Sequence, residues 1–272
     1  MTPLVCPHCR EALTVTQRQW RCANGHHFDV ARGGYVNLAA RVIPTGDTSA
    51  MLTHRRFVFD SGVYAPLIDA VQRHVSVWLK GHTNPLVCDV GAGTGDMLAA
   101  VLAGHANAHG IAFDASPHAA KAAQRAHERI QAVVTDAWQP LPLADNSVTV
   151  MMSVFAPRNA VEFRRVLTAN GAVVIVSAGT NHVRELRDRY DLIAIDDRKN
   201  ERITQAFANG FMLTQTDTLT WQFACHPKLA YAMIAMGPNA HHMTLEPEDV
   251  TFSGDVTAEV TVHVFRPDAA GP

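Results

Sequence analysis

The sequence predicts an α/β protein, a doubly wound and largely parallel seven-stranded sheet preceded by a small metal-binding domain. Three observations carry that expectation. From Gly81 onward, short apolar strands alternate with alanine-rich helical stretches, the pattern of βα units rather than of a bundle or a sandwich. The first of those strands runs into a turn with glycines at 91, 93 and 95, where a backbone can come close to a ligand at a helix N-terminus. Three of the chain's five cysteines fall within its first 22 residues.

The composition fits such a fold. Over 272 residues the chain is 47% hydrophobic and 18% charged, enough to bury a large core and too apolar for disorder. No apolar run approaches the ~20 residues of a membrane span, and the N-terminus lacks the apolar region of a signal peptide. The expected location is therefore the cytoplasm, where cysteine spacing is read as metal chemistry rather than as disulfides.

The first element is the metal hook. Cys6-x2-Cys9 is followed, after twelve intervening residues, by Cys22-x3-His26, two ligand pairs of the kind that hold one Zn2+ tetrahedrally. His27, adjacent to His26, could take the fourth position, so that ligand stays open between the two. With four protein ligands no position remains for water or substrate, and the metal is expected to be structural. Residues 1–60 also carry seven arginines against four acids, a net +3, which leaves −5 for the other 212 residues. Arg18 and Arg21, flanking Trp20, are the hairpin cations that a phosphate backbone would meet first. The chain divides as 1–45 for the zinc domain, 46–80 for a helical connector and 81–268 for the α/β body.

In the body, Leu86 to Val90 reads as a buried strand, followed by the glycine turn and a helix from Asp96. "GIAFDAS" and "AVVTDAW" are the next two strands, ending near Asp114 and Asp136. "SVTVMMSVFA" is a fourth strand, and the helix "AVEFRRVLTANG" is expected to end at Gly171 as its C-cap. "AVVIVSAG", "MLTQTDTLTWQFA" and "AEVTVHVFRP" complete seven strands, with the helix "HPKLAYAMIAMG" before the last. The final pair reads as an antiparallel edge. Ligands of such sheets bind beyond the carboxyl ends of the strands, which singles out "VFAPRN" (Val154 to Asn159) and the stretch containing His182. There Pro157 is expected to turn backbone carbonyls toward a substrate, with Asn159 beside it.

The glycine turn departs from the dinucleotide fingerprint, because Asp96 stands where its third glycine would fall. Asp89-x-Gly91-x-Gly93-x-Gly95 instead resembles the first motif of S-adenosylmethionine (AdoMet)-dependent methyltransferases of class I. In that resemblance Asp114 meets the ribose hydroxyls and Asp136 the adenine amino group. The zinc hook, "HFDVARGGYVNL", "FDSGVYAPL", "DVGAGTG", "VFAPRN" and "AMGP" together resemble, in the same order and across nearly the whole chain, the guanine-N1 methyltransferases of 23S ribosomal RNA. The chain is most similar to the Gram-positive branch that includes macrolide (tylosin)-resistance enzymes.

The resemblance implies zinc ligation by Cys6, Cys9, Cys22 and His26, and AdoMet contacts by Tyr64, Gly93, Thr94 and His182. Thr94 stands where some members carry an acidic residue, as in the resistance-type members. The implied partner is an RNA hairpin gripped by the zinc domain, its target base leaving the stack to reach the methyl group. The general base, the guanine methylated, drug resistance and the choice between monomer and homodimer stay open. Two rival readings predict otherwise. A small-molecule methyltransferase with a zinc lid would work without RNA, and a non-enzymatic zinc RNA-binding protein would not bind AdoMet.

Overall fold

The computed structural model describes residues 3–41, 43, 46–241 and 245–268. Its N-terminal part is a three-stranded antiparallel sheet of β1 (Thr14–Val15), β2 (Gln19–Arg21) and β3 (His27–Asp29), with the two ligand pairs on turns at its ends. These strands are too short to bury a core alone, and they do not. Trp20 is 1% exposed, and with Leu4, Leu13 and Cys22 it packs into the same apolar layer as Leu141, Leu143 and Val148 of the body. Arg10 fastens the joint by donating to the carbonyls of Leu141 at 2.9 Å and Leu143 at 2.8 Å.

The chain then forms β4 (Val36–Asn37), α1 (Ser49–Asp60, capped by Thr48) and α2 (Ala65–Leu79). The body continues as β5 (Leu86–Val90), α3 (Asp96–Ala103), β6 (His109–Asp114), α4 (Pro117–Ala126), β7 (Ile130–Val134), β8 (Val148–Val154), α5 (Ala160–Val166) and β9 (Leu167–Ala178). It closes with α6 (Arg184–Tyr190), α7 (Lys199–Phe207), β10 (Phe211–Cys225), α8 (Pro227–Ala235) and β11 (Gly254–Pro267). The sheet order is β10-β11-β9-β8-β5-β6-β7-β4, with β11 antiparallel to both β9 and β10 and the remaining pairs parallel. The order reverses between β5 and β8, so the crevice for a ligand opens where the glycine turn leaves β5.

Two expectations are corrected. The sheet has eight strands, not seven, because β4 from the N-terminal stretch pairs parallel with β7 through Val36 and Val133. Gly171 does not cap a helix: α5 ends at Val166, Leu167 is already extended, and Gly171 lies within β9. A Cβ there would stand 2.8 Å from the Thr149 carbonyl oxygen, so this glycine permits close approach of β9 to β8. Side chains alternate across the sheet as a period of two requires. Val87, Val150 and Met152 face α2 and α3, whereas Cys88, Val90 and Met151 face Trp20, Phe163 and Phe207.

Candidate functional site

The metal centre is built from two backbone turns. Cys6 accepts the Arg10 amide through its carbonyl at 2.9 Å, with Arg10 in the left-handed region at φ 65°. Cys22 and His26 close the second turn, the Cys22 N–H donating to the His26 carbonyl at 3.0 Å. The four ligand atoms of Cys6, Cys9, Cys22 and His26 lie within 4.8 Å of one another. Cys9 Sγ is 3.6 Å from Cys22 Sγ, and His26 Nδ1 is 3.5 Å from Cys6 Sγ and 3.4 Å from Cys22 Sγ. These are close to the edges of a tetrahedron with ligands at roughly 2.0–2.3 Å from Zn2+. The Glu11 backbone N–H draws the Cys9 thiol down to about 6, favouring the thiolate a metal needs. Of the two candidates for the fourth ligand, His26 is the one that groups with the three cysteines, whereas His27 sits exposed on β3 with Nδ1 toward the Gly25 carbonyl.

At the carboxyl ends of the strands the glycine turn shapes a second site. Gly93 adopts φ +56°, and a Cβ on it would lie 2.5 Å from Arg55 Nη1. Gly95, at φ +80°, lets α3 approach α4, where a Cβ would meet Ala123 Cα at 2.7 Å. Asp114 holds the turn: its Oδ2 accepts the Gly93 N–H and its Oδ1 the Ser116 N–H, both at 2.9 Å. Carboxylate oxygens have further lone pairs to offer, so these bonds leave room for hydroxyl donors. Asp89, at the end of β5, is 2% exposed, and its Oδ1 has no hydrogen-bond partner among the described residues. Burial, and then the charge of Asp114, push its carboxyl up to about 8. A buried acid without a partner beside a glycine cradle fits the ammonium of an amino-acid moiety.

Tyr64, His182 and Phe155 converge from the start of α2, the loop after β9 and the loop after β8. The Tyr64 and His182 rings are parallel to within 6° with centroids 6.4 Å apart, and Phe155 lies 5.7 Å from His182. His182 Nδ1 accepts the Glu259 N–H at 3.3 Å, which leaves the proton on Nε2. Burial drops the imidazole to about 4, so the ring is neutral and donates from its free edge. Phe155 is 43% exposed in a left-handed conformation at φ 54°, a strained aromatic held open to the crevice.

Other expected residues have different neighbours. Thr94 is buried with its hydroxyl on Asp96 Oδ2 at 2.5 Å, at the start of α3. Asp136 accepts the Trp138 N–H at 2.9 Å and lines a hollow of about 60 Å³ with Pro7, Leu38 and Arg41. The Ser153 hydroxyl lies within donating distance of the carbonyls of Ala156 at 3.2 Å and Pro157 at 3.1 Å. Asn159 caps α5 by accepting the Glu162 N–H, so both residues stiffen the loop that presents Phe155. A concavity of about 910 Å³ lies at the opposite end of the sheet, against Leu86, His109 and Ile130. It is remote from the glycine turn and from the end of the sheet where such folds bind ligands.

Sequence reasoning counted Arg55 only as one charge of the basic segment. Arg55 and Arg56 in fact turn inward, Arg55 onto Asp47 and Gly93 and Arg56 onto Asp96. Arg10 is likewise committed to the body, whereas Arg18 and Arg21 remain exposed and unpaired by any ion pair among the described residues. Among the described residues no helix is long and apolar enough to cross a membrane.

Comparison with known proteins gives these sites a context. Residues 4–40 match a zinc-ribbon family model described as RlmA, N-terminal, and residues 87–175 match a methyltransferase domain. The 23S rRNA (guanine(748)-N(1))-methyltransferase of Streptomyces fradiae is 36% identical over 274 residues, covering 97% of this chain and 96% of its own. A Micromonospora griseorubida relative, provisionally named a 23S rRNA (guanine-N(1)-)-methyltransferase, is also 36% identical, over 97% of each chain. The crystal structure of the YcgJ protein of Bacillus subtilis shares the fold at TM-score 0.50 and 15% identity, covering 74% of this chain and all of its own.

Proposed function

We propose, from the premise that this chain belongs to the 23S rRNA guanine-N1 methyltransferases, that it transfers a methyl group from AdoMet to N1 of a guanine in a 23S rRNA hairpin. The observation that carries the reading is a Cys3His cluster packed through Trp20 onto the body of a methyltransferase domain in one chain. A lid over a small-molecule site would need to move, and this domain is packed and bonded to the body through Trp20 and Arg10. The finer target, guanine 748, is proposed from the name of the S. fradiae relative.

AdoMet, when bound, supplies an electrophilic methyl carbon on a sulfonium. Transfer would form the N1–C bond at the expense of the S–C bond, with the thioether as leaving group and the N1 proton released. We assign Asp89 to the ligand's ammonium, Gly91, Gly93, Thr94 and Gly95 to its cradle, and Asp114 and Asp136 to ribose and adenine. Tyr64 and His182 wall the methyl-bearing end. His182 is not the general base, because the nitrogen free to face substrate carries a proton. Phe155 offers the extruded guanine an apolar face, and alignment of that base supplies much of the rate. Zn2+ at Cys6, Cys9, Cys22 and His26 fixes the turns that present Arg18 and Arg21 to phosphates. On this reading residues 1–45 form the RNA grip apart from β4, and the 46–80 connector joins the 81–268 body in the site through Tyr64. A ribosomal RNA substrate implies a cytoplasmic location.

Primer extension on 23S rRNA treated with enzyme and AdoMet tests the proposal, since N1-methylguanine blocks Watson–Crick pairing. A new stop next to a hairpin guanine is expected. Methylation of small molecules with no such stop would refute it.

A further inference from the structure

The amino-acid end of AdoMet carries a carboxylate as well as an ammonium, and the residues considered so far provide for the ammonium alone. A carboxylate placed beside Asp89 and Asp114 without a cation would be repelled. The N-terminus of α3, where an anion would ordinarily sit, is already supplied with one: Asp96 is in its first turn, bonded to the Thr94 hydroxyl and to Arg56 at 2.6 Å. The third glycine of a dinucleotide turn is therefore replaced by an acid that fills the anion position.

Arg55 approaches the same turn from the other side. Its Nη1 lies where a Gly93 side chain would begin. Its Nη2 donates to the Met236 carbonyl at 2.9 Å, and Asp47 Oδ2 is 2.5 Å from Nη1. Anchored by both α1 and the end of α8, the guanidinium is held against the cradle, and its five N–H groups exceed the two acceptors it meets. We infer that Arg55 binds the carboxylate of the methionine moiety of AdoMet, completing with Asp89 a paired recognition of both charges of the amino-acid end. Arginine suits the position because its planar fork matches a carboxylate. The inference rests on AdoMet being the methyl donor and on nothing about the RNA.

Calorimetry with S-adenosylhomocysteine and with its decarboxylated analogue, which keeps the ammonium and the adenosine, tests it. The wild-type protein should prefer S-adenosylhomocysteine by roughly tenfold to a hundredfold. Arg55→Gln should lose that preference by weakening S-adenosylhomocysteine alone, while Asp47→Asn, which removes the ion pair but keeps the arginine, should retain it. Melting temperatures without ligand are recorded for each variant. Equal binding of the two ligands by wild-type protein would overturn the inference whether or not the variants fold. So would a loss in Arg55→Gln common to both ligands, or the same loss in Asp47→Asn, since Arg55 would then be a strut. Failure of the wild-type protein to bind S-adenosylhomocysteine at all would instead refute the cofactor assignment.

Discussion

Replacing Asp89 with Asn should abolish a pH dependence of AdoMet binding that the buried carboxyl imposes. In the free protein this group is raised to about 8, first by burial and then by Asp114. At pH 7 it is therefore about nine-tenths protonated. The ligand's ammonium favours the anion, so binding must expel the proton. The sign follows: affinity weakens as the pH falls below about 8, approaching tenfold, or ~1.4 kcal/mol, for each unit of pH. Above about 8 the ligand's own α-amino group begins to lose its proton, so affinity should peak near that pH. Calorimetry at pH 6, 7 and 8 gives the slope, and repeating pH 7 in buffers of different ionisation enthalpy counts the proton released. Asp89→Asn should bind more weakly at pH 8 and show no acid limb. A wild-type affinity flat from pH 6 to 8 without proton release, or an unchanged acid limb in Asp89→Asn, would refute the pairing of Asp89 with the ammonium.

The purified protein should hold about one zinc per chain, and Cys9→Ser should lose it and RNA binding while keeping most AdoMet affinity; full RNA activity without metal would count against a structural zinc. Gly93→Arg should abolish AdoMet binding in calorimetry, because even a Cβ there meets Arg55 at 2.5 Å; unchanged affinity would displace the ligand from the turn. Arg18→Ala with Arg21→Ala should weaken RNA binding and flatten its salt dependence by roughly 0.7–0.9 of a slope unit per lost contact, leaving AdoMet affinity intact. Trp20→Ala, at a position 1% exposed, serves there as the control for unfolding. An unaltered salt slope in the double variant would move the RNA grip to another face.

What the sequence revealed depended on how local the responsible interactions are. The glycine turn and the strand before it were legible because a run of small residues after an apolar segment has few other uses. The cysteine pairs were legible for the same reason, since two ligands on one turn are set by spacing alone. β4 was not, because two residues, Val36 and Asn37, show no period, and only pairing with Val133 and Val134 makes them a strand. Gly171 carried a helix-end signal but answers to the Thr149 carbonyl on another strand. Arg55 looked like a surface cation because its partners at Met236 and Gly93 are remote in the chain.

The choice between His26 and His27 shows how tertiary register completes a local pattern. Both histidines are spaced to reach the metal, yet Arg21 pairs with His27 across β2 and β3, which fixes His27 on the exposed strand and leaves His26 in the turn behind it. The same register buries Trp20 opposite Phe28, and Trp20 in turn seats the hairpin on the body core. The placement of His26 beside the cysteines, the hairpin register and the domain attachment are therefore one constraint. The eighth strand adds a second tie, since β4 extends the sheet beside β7, whose carboxyl end leads to Asp136. Two attachments hold the exposed arginines at a set distance from the crevice. On the proposed function a folded RNA hairpin has to fit both the exposed arginines and the crevice, and shape selection of the substrate would follow from how the zinc domain is fastened.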